Sequence, residues 1–282
     1  MRAQRSESHP TVPLDVPPSH EPLSPGWAGD ASGSLDVAAS LDGWDYEPDR
    51  VNVRKIRGDD GRAKLQVRLD LGLLQMELGG RPDGKRPRGF TSLLEYHVDR
   101  LNAHRSRFGS ELGYLLSPAD CRELRDEASM YYHRYLALFV LGEYSAALAD
   151  TRRNLEAIDF CRAHAAEARD RTAMEAYRPY VLMMHARAGG GLCLREGDFR
   201  GALRRVRRGL RDLRRHFRRH GGIQAYRSSA EVRVLRKLEK HLAWQVPQSP
   251  RRRLKRELVV AIRREEYERA AMLRDELARL DA

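Results

Sequence analysis

From Val51 the apolar positions alternate with polar ones: Val51 and Val53, then Leu65, Val67, Leu69 and Leu71, with Gly58-Asp59-Asp60-Gly61 between the runs. Period two is the spacing of a half-buried strand, and the Gly/Asp cluster is turn chemistry, so the pattern predicts a β-hairpin. A further run, Leu73 to Leu78, fits either a third strand or a helical turn before it stops at Gly79-Gly80. The loop that follows, Arg81 to Gly89, is basic and rich in Pro and Gly.

After Phe90 the period changes. Leu93, Leu94, His97, Leu101 and His104 share one helix face, and Ser117-Pro118-Ala119-Asp120 is a helix start with a cap, a proline in the first turn and an acid against the helix dipole. The helix it opens is expected to run through Leu124, Ala128, Tyr131, Tyr135 and Leu138. Residues 141–148 (LGEYSAAL) and 196–203 (EGDFRGAL) then repeat one pattern of Gly, acid, aromatic, two residues, Ala, Leu. In each, the Gly can end one helix, and the Ala is small enough for the next to cross closely. This resembles the turn of a tetratricopeptide (TPR) helix pair, with Gly190 at that family's small position. Tyr135 stands at the equivalent place in the first copy, and the 55-residue separation of Gly142 and Gly197 exceeds the roughly 34 of that repeat. Two TPR-like pairs with lengthened helices are expected, not a regular array.

Beyond Pro247 and Pro250, Leu254, Leu258 and Ile262 make one helical stripe and Leu273, Leu277 and Leu280 a second, with Glu265-Glu266-Tyr267-Glu268 at the bend. Two antiparallel helices with facing stripes follow. Leu254, Leu258, Ala261-Ile262, Glu265, Tyr267-Glu268, Ala270-Ala271, Leu273-Arg274-Asp275 and Leu277 resemble the UVR motif of the UvrB and UvrC repair proteins. The resemblance implies a helical hairpin that docks on a protein partner, either another UVR-bearing protein or a second copy of this chain. Leu254, Leu258, Ile262, Tyr267, Ala270, Leu273 and Leu277 are then the partner-binding residues, some inside the hairpin and some at its interface. So short a hairpin buries too little apolar surface to be stable alone, so it packs on something. Capping of the chain's own helices is the plainer alternative. The stretch from Trp44 to Pro87 is also similar to a bacterial group in which it precedes TPR-like helices and a UVR motif, a resemblance that carries no activity with it.

Charge adds a second candidate. The formal charge is +12, but residues 195–256 carry 21 basic and 5 acidic side chains, more positive charge than the whole chain. Leu203, Val206, Leu210, Leu213 and Phe217 form one buried stripe on a predicted helix there. Arg204, Arg205, Arg207, Arg208, Arg211, Arg214, Arg215, Arg218 and Arg219 fill most of the remainder, interrupted by Asp212. Like charges at i+3 and i+4 repel, so something acidic is expected opposite: the chain's own acids, an acidic partner or phosphates. Arg204, Arg207, Arg208, Arg211, Arg214, Arg215 and Arg218 are the candidate phosphate or nucleic-acid contacts, with Lys85 and Arg86 of the basic loop as a second set. A solvated arginine face is the plainer reading, since Arg is abundant throughout and no DNA-reading motif or set of stacking aromatics accompanies it.

Composition excludes more than it assigns. Cys121, Cys161 and Cys193 form no CxxC pair, so neither a disulfide framework nor a zinc-cysteine site is indicated. No apolar run approaches the ~20 residues of a membrane span, and no signal-peptide core opens the chain, so no membrane partner and a cytoplasmic location are expected. His216 and His220 lie four apart on the arginine helix, but no third ligand is within sequence reach and cationic neighbours repel a metal, so no metal is expected. Gly189-Gly190-Gly191 lies inside a helical pattern, where close packing is the expectation rather than a phosphate cradle. Asp70, Gln75 and Glu77 alternate near the hairpin and could form a polar site with Arg54 and Lys55, but salt bridges are the commoner use of such carboxylates and nothing identifies a nucleophile, so no catalytic residue and no cofactor are assigned.

The expected fold is mainly α: TPR-like helical hairpins with a small N-terminal β-hairpin module and a C-terminal UVR-like helical hairpin. Its parts are a disordered tail (1–44), the β-hairpin module with its basic loop (45–89), the TPR-like domain (90–246) and the UVR-like hairpin (250–282). The expected function is that of a non-enzymatic adaptor. The alternatives are a nucleic-acid-associated DNA-repair accessory using the arginine helix, and an enzyme on the N-terminal module converging on Asp70, Glu77 and Arg54.

Overall fold

The structure, a computed structural model, describes residues 37–246 and 250–281. The proline-rich stretch 1–36, including Trp27, and Pro247 lie outside them. A single helical turn, α1 (Ala38–Leu41), precedes Trp44, so order is present ahead of the boundary expected there.

A three-stranded antiparallel sheet follows in the order β1 (Asn52–Arg57), β2 (Ala63–Leu69), β3 (Gly72–Glu77). The Gly58–Gly61 turn joins the first pair, with the Gly58 N–H donating to Arg62 O at 2.7 Å. The ambiguous run Leu73–Leu78 supplies the third strand, paired from Leu69↔Gly72 to Lys64↔Glu77. That register leaves only Asp70 and Leu71 for the connection. Leu71 is therefore not a strand position but a turn residue, 93% exposed, because a two-residue loop has no buried side. Leu65, Val67 and Met76 are buried on the face that packs against the helices.

The rest of the chain is helical: α2 (Leu93–Phe108), α3 (Pro118–Val140), α4 (Tyr144–His164), α5 (Ala168–Ala173), α6 (Arg178–Arg195), α7 (Phe199–His220), α8 (Gly222–Ser228), α9 (Ala230–Gln245), α10 (Pro250–Arg263) and α11 (Tyr267–Asp281). Ser117 and Asp120 form the reciprocal capping box at the start of α3, and Leu124, Ala128, Tyr131, Tyr135 and Leu138 are buried along it. The chain divides into two compact units between Leu238 and Glu239, so the last part of α9 belongs with the C-terminal hairpin.

Three helical hairpins share one turn. Between α3 and α4, Gly142 has φ +74° and the Glu143 N–H donates to Leu138 O at 2.8 Å. Between α6 and α7, Gly197 has φ +75° and the Asp198 N–H donates to Cys193 O at 2.8 Å. Between α10 and α11, Glu265 has φ +60° and the Glu266 N–H donates to Ala261 O at 2.9 Å. In each, a left-handed residue closes the first helix through a six-residue hydrogen-bonded turn, and an aromatic, Tyr144, Phe199 or Tyr267, opens the second. The repeat seen at Gly142 and Gly197 thus has a third copy, hidden because Glu265 stands where the others have Gly.

Close helix crossings account for Gly191 of α6 and Gly209 of α7. A Cβ on Gly209 would lie 2.5 Å from the Ala186 Cβ, and one on Gly191 would lie 2.8 Å from the Tyr144 ring. Gly189-Gly190-Gly191 lies within α6, and of the three only Gly191 is packed that closely; a Cβ on Gly189 or Gly190 would meet neighbours at 3.4 and 3.5 Å.

Two buried acids fasten the helices to one another, and one of them through Arg134 to the end of the sheet. Glu127 of α3 is fully buried and accepts from the Leu93 and Leu94 N–H groups, at 2.8 and 3.4 Å, while Ser92 Oγ accepts from Glu95 N–H. The donors that open α2 are thereby satisfied partly by its own cap and partly by another helix. Arg81 at 3.6 Å and Arg153 balance the Glu127 charge. Arg134 holds both oxygens of Asp150 and donates to Glu77 O and Gly80 O, at 3.1 and 2.8 Å, tying the end of β3 to α3 and α4.

Candidate docking hairpin and arginine helix

In the C-terminal unit, α10 and α11 pack through Leu254, Ala261, Ala270, Leu273 and Leu277, with Leu258 partly buried against them. Leu254 and Leu258 face Leu273 and Leu277 as expected, but Ile262 and Leu280, placed on the same stripes by sequence, lie outside the core, which divides the seven partner-binding candidates. Leu254, Leu258, Ala270, Leu273 and Leu277 form the hairpin's interior. Ile262 is 53% exposed and Tyr267 69% exposed. Val259 lies three residues from Ile262, on the same flank, and is exposed too. Met272, Leu280 and Trp244 are further exposed apolar side chains of this unit. An α10–α11 core of six apolar side chains is small for a hairpin that also shows Val259, Ile262, Tyr267, Met272 and Leu280 to water.

On α7, Leu203, Val206, Leu210 and Leu213 are buried, Phe217 is half-buried, and Gly209 and His216 complete the buried stripe. The candidate arginines all lie on the exposed remainder. Arg204 reaches Asp198 and Arg215 reaches Asp212, both at 3.4 Å. Arg205, Arg208, Arg211, Arg214, Arg218 and Arg219 have no carboxylate within ion-pair distance among the described residues. The acid expected opposite this face is therefore scarce within the described chain. His185, half-buried under α7, is pushed down to about 4 by burial and by the charges of Arg152, Arg205 and Arg208.

The basic loop divides. Arg81 turns inward to Asp83 and Glu127, at 3.1 and 3.6 Å, whereas Lys85 and Arg86 are exposed, with Arg86 donating to Gly89 O. Arg88 lies over the Tyr96 ring at 4.6 Å and pairs with Glu123 at 3.2 Å.

The polar set on the sheet does not converge. Arg54 donates to Gln66 Oε1 and Ser40 O, at 2.8 and 2.6 Å, and stacks on Trp44 at 4.1 Å. Lys55 pairs with Glu143 and Glu77 with Lys64, while Asp70 sits in the β2–β3 turn. Arg54 and Gln75 meet only through Gln66, which donates to Gln75 Oε1 at 2.9 Å, and Lys55, Glu77 and Asp70 are not brought to them.

Between α3, α4 and α6 lies a cavity of about 440 Å³, lined by Tyr132, Tyr135, Tyr177 and Tyr180 together with Asn154 and Met174. Asn154 is held by Ala128 O at 2.9 Å, and the Tyr132 ring meets the rings of Tyr135 and Tyr180 at 5.6 and 5.8 Å. Burial raises the phenols of Tyr132, Tyr135 and Tyr180, so they stay protonated donors.

Sequence reasoning missed Glu175. It lies in the 3₁₀ turn Glu175–Tyr177, where no periodicity marks it, and it comes to rest beside His216 of α7, Oε2 to Nδ1 3.6 Å. Among the described residues no helix is long and apolar enough to cross a membrane. No protein-family model, curated protein or solved structure matches the chain.

Proposed function

We propose that the protein is a non-enzymatic adaptor that docks a protein partner through its C-terminal hairpin, and that the partner presents a second helical hairpin of the same kind. The observation that carries this reading is the division of the hairpin's apolar residues. Leu254, Ala261, Ala270, Leu273 and Leu277 hold α10 to α11, while Ile262, Tyr267 and Val259 lie outside that core. Packing two hairpins into a four-helix arrangement covers such flanks and supplies the apolar burial that one hairpin lacks. The resemblance to the UVR motif points to the same class of occupant. Titration calorimetry of the intact protein against the C-terminal hairpin of UvrB, with sedimentation equilibrium of the protein alone, tests it. Association in either experiment supports the reading; a monomer that ignores the hairpin overturns it.

A second reading is favoured by the exposed arginines of α7: a nucleic-acid-associated accessory in which they supply sequence-independent affinity for phosphates. Its test is a salt-titrated binding assay on random duplex and single-stranded DNA. A variant with Arg208, Arg211, Arg214 and Arg218 changed to Gln is the comparison. Steep salt dependence lost in the variant supports it, and no binding at physiological salt removes it.

A further inference from the structure

We propose that Glu175, His216 and His220 form a binding site for a borderline divalent cation of the zinc class. Each contributes one ligand atom, and these atoms lie within 4.8 Å of one another. The spacing of four residues on α7 puts both imidazoles on one helix face, with ring centroids 4.9 Å apart. The carboxylate arrives from a distant segment, which is why the sequence shows no third ligand.

His216 carries the argument. It is 92% buried, being 8% exposed, and its Nδ1 has no hydrogen-bond partner. A buried imidazole nitrogen without a partner is costly. It faces Glu175 Oε2 at 3.6 Å, longer than a hydrogen bond though within ion-pair distance once the ring is protonated. Two ligands each ~2.1 Å from a tetrahedral zinc ion are about 3.4 Å apart, so the gap is close to what such an ion would span. Two imidazoles and one carboxylate suit zinc, cobalt or nickel rather than calcium or magnesium, and leave a fourth position for water. The three residues line a pocket of about 290 Å³, open enough to admit one.

The objection is positive charge, since Arg162, Arg178, Arg215 and Arg219 line the same pocket. Three of them face carboxylates: Arg162 and Arg178 reach Asp159 at 2.8 Å each, and Arg215 reaches Asp212 at 3.4 Å. Arg178 also donates to both oxygens of Glu175, at 2.6 Å to the Oε2 that faces His216 and 2.8 Å to Oε1, and so fixes the carboxylate's orientation, as outer partners of metal ligands do. The remaining charge weakens the site relative to a structural zinc centre without removing its donors.

The test is Co²⁺ and Zn²⁺ binding by the full chain, free of any histidine tag, followed by equilibrium dialysis with metal analysis and by the visible spectrum of Co²⁺. The variants are His220→Ala, an exposed position whose loss leaves the core untouched, and Glu175→Gln. One Co²⁺ per chain is expected, with a low-coordinate spectrum, and His220→Ala should weaken binding at least tenfold. Inorganic phosphate is run in parallel. No stoichiometric metal, metal binding unchanged in both variants, or phosphate bound in place of metal would each overturn the proposal.

Discussion

The guanidinium of Arg134 bonds through Nε and Nη2 to the two oxygens of Asp150, at 2.8 and 2.7 Å, and both side chains are buried. Burial raises the Asp150 carboxyl pKa in spite of its partner, so the charge depends on that pairing. Arg134→Met strands the acid and releases the Glu77 and Gly80 carbonyls; a loss of about 3–5 kcal/mol is expected in denaturant unfolding. Arg134→Met combined with Asp150→Leu should recover much of it, because neither charge is then left unpaired.

Helix crossing gives a paired prediction. Gly209→Ala places a Cβ against Ala186 at 2.5 Å and Leu235 at 3.0 Å, and should cost about 2 kcal/mol. Gly190→Ala meets only Val206 at 3.5 Å and Ala202 O at 3.9 Å, ordinary contacts, so the helix propensity of Ala should leave stability unchanged or raise it by up to about 1 kcal/mol. Thermal unfolding of the two variants side by side checks the contrast.

Glu265 adopts φ +60° at the position where the two other hairpins use Gly. Glu265→Gly should stabilise the C-terminal hairpin by about 1 kcal/mol, read from slower amide exchange in α10 and α11. Faster exchange would show that the Glu side chain contributes more than the strain it carries.

His185 gives a pH dependence of definite sign. Its Nδ1 lies 3.0 Å from Thr151 Oγ1, which also reaches Ala147 O at 2.8 Å, so the ring is held against α4. With its pKa depressed from 6.5 to about 4, the unfolded chain binds the proton first. The contribution is present above pH 6.5 and is lost as pH falls through that value towards 4, on the order of 3 kcal/mol. His97, His133 and His164 are depressed in the same direction. Wild-type stability should therefore fall broadly over this range, and His185→Gln should remove part of the slope.

What the sequence revealed followed from local rules. The Ser117 cap, the stripe from Leu203 to Leu213, the Gly142 and Gly197 turns and the facing leucines of α10 and α11 each show in a window of a few residues. What it concealed depends on partners far along the chain. Glu127 reads as a surface acid until Arg81 and Arg153 arrive beside it, and Glu175 has no meaning without His216. Leu71 misled because alternation continues through a two-residue turn that only the pairing register reveals. The third hairpin turn was obscured by one substitution at the position that most favours Gly.

The most direct test of the docking account compares two kinds of substitution in the same hairpin. Ile262→Asp and Tyr267→Asp alter its outer surface, whereas Leu273→Ala opens its interior. Measured by sedimentation equilibrium and by binding to a UvrB hairpin, association should be lost in the two outer variants while their thermal transitions stay within about 0.5 kcal/mol of wild type. Leu273→Ala should lose both association and about 2–3 kcal/mol of hairpin stability. Association that survives Ile262→Asp and Tyr267→Asp would contradict the account.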